Sequence, residues 1–295
     1  MVEKTSVYPG GTRLDAAAKS AVRPLSPLSE DEVLALIDRL FPSRTGHVPD
    51  GRGDDCAELA LAGSGPVKGG DLTSPRLALS TDLFLEDVHF SFGYCTPEEV
   101  GAKALAAAVS DLAAAGAVPL GFSLGLILPP ALALAGLNSL LKGMAAQAAS
   151  FDMALSGGDL IRGEKLGLSV TVWGRPPDAG TPFLRRGGVR AGHCIFLIGD
   201  AGLARVGLWA LQREGRQALA SWPSACAAHL GAKPLLAQGQ AIARLVRYEA
   251  DAKKNGDASA RVSLMDVSDG LARDLPRLLG GLGADLDFDA AIIPP

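Results

Sequence analysis

Apolar positions along the chain change their period several times, and each change marks an element. Val33, Leu36, Ile37, Leu40 and Phe41 recur at helical spacing, and Ser29 with Glu32 has the S-x-x-E pattern of a capping box. The mixed, polar residues 1–27 before them are expected to be a disordered leader. Short apolar runs at 56–61 and 76–83 predict strands, the second ending in polar residues. Residues 97–116 are Ala-rich and predict a long helix. A strand at 120–128, a helix at about 131–150 and a strand at 153–156 follow, the last running into Gly157-Gly158-Asp159. Residues 166–173 are rich in Val, Thr and Ser and predict another strand. Residues 42–53 and 63–74 read as loops, and 174–182 (GRPPDAGTP) as a linker. Beyond it the pattern predicts strands at 194–199, 262–266 and from 284, helices at 201–212, 234–249 and 270–279, and a polar loop at 251–260. Strands alternating with helices in both halves argue for two α/β or α+β domains. The expected domains are 28–176 and 177–295.

Composition narrows the class. With 48% apolar and 20% charged residues the chain has material for a core and is not disordered as a whole. A net charge of −4 without a long basic block argues against broad nucleic-acid or anionic-membrane binding. Cys56, Cys95, Cys194 and Cys226 are scattered and form no CxxC pair, which fits a reducing cytoplasm better than a disulfide framework or zinc ribbon. The N-terminus lacks the apolar core of a signal peptide, so a cytoplasmic location is expected. Residues 112–141 carry no charge and are long enough to span a bilayer. Pro119, Pro129-Pro130, Gly116, Gly121 and Gly125 break that stretch into pieces, which favours a buried strand followed by a core helix over a membrane span.

The aspartates carry the candidate chemistry. Asp54 and Asp55 lie in GRGDDCA, Asp82 ends a strand behind Ser80 and Thr81, Asp159 follows two glycines, and Asp266 and Asp269 lie in MDVSDGL. Strand ends and the loops beyond them are where α/β folds place ligands. Singly, each also reads as a turn former, or for Asp269 a helix cap. Asp111 is surrounded by Ala and Leu on every face of its helix, so its carboxylate must be paired or hold a metal. A salt bridge to a distant Arg and metal coordination both satisfy that requirement. Hard oxygen ligands favour Mg²⁺ or Ca²⁺, and Mg²⁺ is commonly shared with substrate phosphates. Glycines at 51, 53, 157 and 158 would let backbone N–H groups approach phosphate oxygens. Together these point to Mg-dependent phosphoryl transfer. Neither a GxxxxGK[ST] loop nor the HRD and DFG signatures of protein kinases occur.

The segments GRGDDCAEL, LALSTDLFLEDVHF, GAKALAAAVSDLAAAGAVPLG, SGGDL and MDVSDGLARDL occur in this order. The series resembles thiamine-monophosphate kinases of the aminoimidazole-ribonucleotide-synthetase superfamily, from about residue 30 onward. The resemblance implies an α+β fold with a synthetase-like N-terminal domain, dimeric through that domain, and a C-terminal α/β domain. It implies phosphorylation of thiamine monophosphate by ATP through direct in-line attack, with several Mg²⁺ ions. The metal ligands would be Asp55, Ser80, Thr81, Asp82, Asp111, Asp159, Asp266 and Asp269, with Asp55, Asp111 and Asp269 central to catalysis. Gly158, Asp159, Arg186 and Ser268 would contact ATP, and His89 of DVHF the thiamine phosphate. For His89 a core position at a strand end is the alternative. For Arg186 the alternatives are its neighbour Arg185 and a solvated basic turn.

The chain departs from the family in three ways. Ala191-Gly192-His193 stands where PGD is usual, and Ala108 where Asn is frequent. A later segment with a GGEDYEL-like motif is absent, so the C-terminal domain is expected to be incomplete. The alternative functions are another ATP-dependent reaction of the superfamily (selenophosphate synthesis, purine synthesis or hydrogenase maturation) and a non-catalytic dimeric fragment.

Overall fold

The computed structural model describes residues 30–40, 48, 53–61, 75–252 and 262–283. The chain divides into two units, residues 1–43 and 44–295. The first contributes helix α1 (Glu30–Leu40), on which Val33 and Ile37 are half-buried and Leu40 is exposed. The expected cap Ser29, the leader, the loop at 63–74, most of the loop at 251–260 and the strand from 284 lie outside the described residues.

The second unit is built on one five-stranded mixed sheet. Its strands are β1 (Ala57–Ala60), β2 (Arg76–Leu85), β3 (Val118–Leu128), β4 (Ala154–Arg162) and β5 (Gly167–Arg175), in the order β1-β2-β5-β3-β4. Only β3 and β4 pair in parallel. Strand alternation sends Ala78, Phe122, Leu124, Leu168, Val170 and Val172 into the core. Over them lies helix α2 (Pro97–Ala114), opened by a Thr96–Glu99 capping box with Pro97 in its first turn. Its alanines let it settle close to the sheet, and Ala104, Leu105, Ala108, Val109 and Leu112 are fully buried.

Helix α3 (Leu134–Ser150) crosses α2 at very short range. A Cβ on Gly101 would stand 2.0 Å from the Leu140 carbonyl oxygen, and one on Gly143 would stand 2.0 Å from that of Glu98. The uncharged run at 112–141 is therefore the end of α2, β3 and the start of α3, and no described helix is long and apolar enough to cross a membrane.

Beyond residue 177 the expected alternation of strand and helix is not found among the described residues. Helices α4 (Leu203–Glu214), α5 (Ala218–Ser221), α6 (Pro223–Leu230), α7 (Leu236–Ala252) and α8 (Leu271–Leu279) dominate. Residues 194–199 join no ladder, and Ile195, Phe196, Leu197 and Ile198 are exposed. Their β-prone side chains read as a strand, but no described strand lies beside them to complete one. The 262–266 strand shrinks to one parallel bridge, Arg185 with Ser263.

Candidate active site

Four segments meet over the inner face of β2. Residues 53–56 lead into β1, and strand alternation turns Ser80 and Asp82 toward α2. Asp111 comes from the last turn of α2, and Asp266 from the segment that follows the Ser263 bridge. Carboxylate oxygens of Asp55, Asp111 and Asp266 all lie within 4.8 Å of one another. The Ser80 hydroxyl donates to Asp111 Oδ2 at 2.5 Å, and the Ser110 hydroxyl hydrogen-bonds to Asp266.

The electrostatics follow from this crowding. Burial, then the charges of Asp266, Asp82 and Asp55, push the Asp111 carboxyl up to about 8, against the Ser80 hydrogen bond. Burial and Asp55 push Asp266 up to about 6. Burial also raises Asp55, opposed by its ion pair with Arg186, and raises Asp82, opposed by His89. Cys56 lies beside the cluster. Burial and the surrounding aspartates hold its thiol well above the usual range, so it offers no thiolate. Three carboxylates that repel one another in a partly buried place, with hydroxyls as helpers, form a hard oxygen donor set suited to Mg²⁺. The near neighbours of Asp111 are Ser80 and carboxylates, and the nearby Arg186 pairs with Asp55.

Arg186 stands at the edge of this cluster. Its backbone N–H donates to Asp54 Oδ1 at 2.5 Å, and its guanidinium pairs with Asp55. Its buried Nε–H has no acceptor among the described residues. Arg185 points instead to Glu58.

The other sequence-predicted residues lie apart from the triad. Thr81 faces the opposite side of the sheet, its hydroxyl 2.9 Å from that of Thr171. Gly158 and Asp159 sit inside the exposed edge strand β4 rather than in a loop after it, and Asp159 Oδ1 accepts the Leu160 N–H at 2.8 Å. Ser268 and Asp269 are exposed before α8, where Asp269 Oδ2 pairs with Arg277 at 3.1 Å and Arg273 at 3.5 Å. His89 occupies an exposed turn after β2, where its Nδ1 accepts the Leu85 N–H at 3.0 Å and its ring lies 5.7 Å from that of Phe84. It is a surface residue rather than a core one.

Three contributors escaped sequence reasoning. Asp274 is 1% exposed and accepts the N–H groups of Asp269 and Gly270 at 2.9 and 3.0 Å, so it fixes the loop that follows Asp266. Glu58 and Arg76 form a buried ion pair at 2.9 Å. Their signal was a charge inside the apolar β1 and another at the start of β2, ahead of its apolar run.

Residues 53–175 match the family described as AIR synthase related protein, N-terminal domain. The thiamine-monophosphate kinase of Synechococcus elongatus is 34% identical over 252 residues, 85% of this chain and 68% of that protein. The chain belongs to the thiamine-monophosphate kinase family. The kinase of Escherichia coli K12 is 33% identical over 87% of this chain and 70% of its own length. A solved structure of AaThiL complexed with AMPPCP and TMP matches at a TM-score of 0.69 and 26% identity, over 88% of this chain and 72% of that one. The α+β fold is common to the family members and to this chain.

Proposed function

We propose that this chain transfers the γ-phosphoryl group of ATP to the phosphate of thiamine monophosphate, forming thiamine diphosphate. The observation that carries the reading is the convergence of Asp55, Asp111 and Asp266 beside Arg186 in a chain of this family. The ATP analogue and the TMP named in the AaThiL complex support this pair of substrates. Mg²⁺ held by the triad would neutralise and order phosphate oxygens. The chain's own groups do the rest. Ser80 orients Asp111, Ser110 orients Asp266, and Arg186 presents a fixed positive charge with a spare N–H to phosphate oxygens. The acceptor is an already ionised phosphate, so in-line attack needs positioning and charge neutralisation more than a strong base.

Asp82, whose charge acts on Asp111 and is opposed by that of His89, would extend the acidic face toward the thiamine phosphate that His89 would contact. Thr81, Asp159 and Asp269 as further metal ligands, and Gly158 and Ser268 as ATP contacts, rest on the resemblance. Asp269 would have to exchange its arginine partners for a metal. We further propose a cytoplasmic homodimer with one domain over 28–176 and another over 177–295. The exposed edge strand β4 and the outward Leu83 and Ile127 of the sheet support pairing of two copies. Purified chain incubated with ATP, Mg²⁺ and thiamine monophosphate should yield thiamine diphosphate by chromatography. Absence of product at micromolar enzyme would overturn the reading.

A further inference from the structure

Arg186 is held where it is from behind. Glu58 and Arg76 are each only 6% exposed, and Arg76 Nη1 donates to Glu58 Oε1 at 2.9 Å. The other Glu58 oxygen takes Arg185, and Arg76 Nη2 donates to the Thr181 carbonyl at 2.9 Å. The Arg76 guanidinium also lies 5.4 Å from the centre of the Phe183 ring. One buried carboxylate and one buried guanidinium therefore grip residues 181, 183 and 185 of a single strap. On its other sides the strap is tied by Leu184 N–H to Ala115 O at 2.9 Å and by Leu264 N–H to Arg185 O at 3.1 Å. The next residue is Arg186. Asp266 comes two residues after Leu264, on the segment the strap bridges.

A buried ion pair is a weak device for stability, because apolar residues of similar volume often do as well. What apolar packing cannot do is fix direction, and here the pair points at three alternate residues of one strap. We infer that Glu58 and Arg76 are positioning residues, which set the Arg186 guanidinium over the triad and so determine affinity for the nucleotide's phosphates. The inference rests on the kinase reading of Arg186. Glu58 and Arg76 touch no ligand themselves.

The test is a double-mutant cycle read by calorimetric titration of AMPPCP in Mg²⁺, with thiamine monophosphate titrated separately. Glu58→Gln should weaken AMPPCP by about tenfold, the scale of a charge-assisted hydrogen bond set out of line, and leave thiamine monophosphate within about twofold. Added to Arg186→Ala, the same change should cost less than about twofold, because the residue it acts through is gone. Undiminished loss in the Arg186→Ala background, or no loss in the wild-type background, would overturn the inference. Should circular dichroism find Glu58→Gln unfolded, Arg185→Met decides. That side chain is 41% exposed, so its loss is tolerable to the fold. It should weaken AMPPCP by about threefold, again only while Arg186 is present, and unchanged binding would overturn the inference. Wild-type protein that binds no AMPPCP would overturn the kinase reading instead.

Discussion

At the scale of the residue, Asp111 was legible because nothing around it in sequence could satisfy a charge. Asp55 and Asp266, remote in the chain, were named with it only through the family motifs, among eight candidate ligands, and the fold brings these two to Asp111. Its raised carboxyl makes a pH prediction with a definite sign. Between the ordinary carboxylate range and about 8 the folded, metal-free protein holds a proton that the unfolded chain has lost. Stability from this group is therefore full at low pH and falls as pH rises toward 8. Asp111→Asn removes that dependence. In chelator, the stability advantage of the variant over wild type should widen by at most roughly 2–3 kcal/mol between about pH 5.5 and 7.5. Denaturant melts at the two pH values measure it, and a constant difference would contradict the crowding of the triad. With Mg²⁺ and nucleotide the order should reverse, since wild type gains binding energy and the variant gains less. His89, exposed in the turn after β2 and lowering the Asp82 carboxyl against its burial, gives a second prediction. His89→Ala should raise KM for thiamine monophosphate by about tenfold and leave AMPPCP affinity within about twofold. An equal loss of both would place His89 elsewhere in the mechanism.

At the scale of the element, period and punctuation found every strand of the sheet and the helices α1 to α4, α7 and α8. β4 runs longer than its apolar residues suggested, because pairing with β3 carries the ladder through Gly157 and Gly158. The short helices α5 and α6, in a stretch left unassigned, were not predicted; Pro223 opens α6 at its first turn. The run at 194–199 shows the opposite failure: β propensity without a partner strand makes no strand. Gly101 of α2 and Gly143 of α3, unfavourable for a helix by propensity, are the contact between the two helices. Gly101→Ala would gain about 1 kcal/mol of helix propensity. It would also drive a Cβ to 2.0 Å from a backbone oxygen that no rotamer change can move. Overpacking of this kind costs about 1–3 kcal/mol, so the clash should win and lower Tm by several degrees in calorimetry. An unchanged or raised Tm would mean that the two helices separate freely. Asp274→Ala leaves two loop N–H groups without their buried acceptor and should destabilise by about 1–3 kcal/mol, with activity falling further than stability explains.

At the scale of the whole molecule, the acidic cluster belongs to no single segment. It is assembled from the turn before β1, from β2, from α2 and from the strand-like segment before α8, and Arg186 reaches it from the strap after β5. Ordered motifs therefore identified the family more surely than any one aspartate identified a role. They could not separate residues that converge, such as Asp55, Ser80, Asp111 and Asp266, from Thr81, which strand alternation turns to the other face. The exposed β4 edge and outward apolar residues lead us to expect a dimer by light scattering at micromolar concentration, and a monomer would count against pairing through this sheet. The central claim is that Asp55, Asp111 and Asp266 form one phosphate-bridging metal site. Anomalous scattering from crystals grown with Mn²⁺ and AMPPCP tests it most directly. The expected result is a Mn²⁺ peak roughly 2.1–2.2 Å from oxygens of all three carboxylates and of the nucleotide. Nucleotide bound with no anomalous peak among the three aspartates would contradict it.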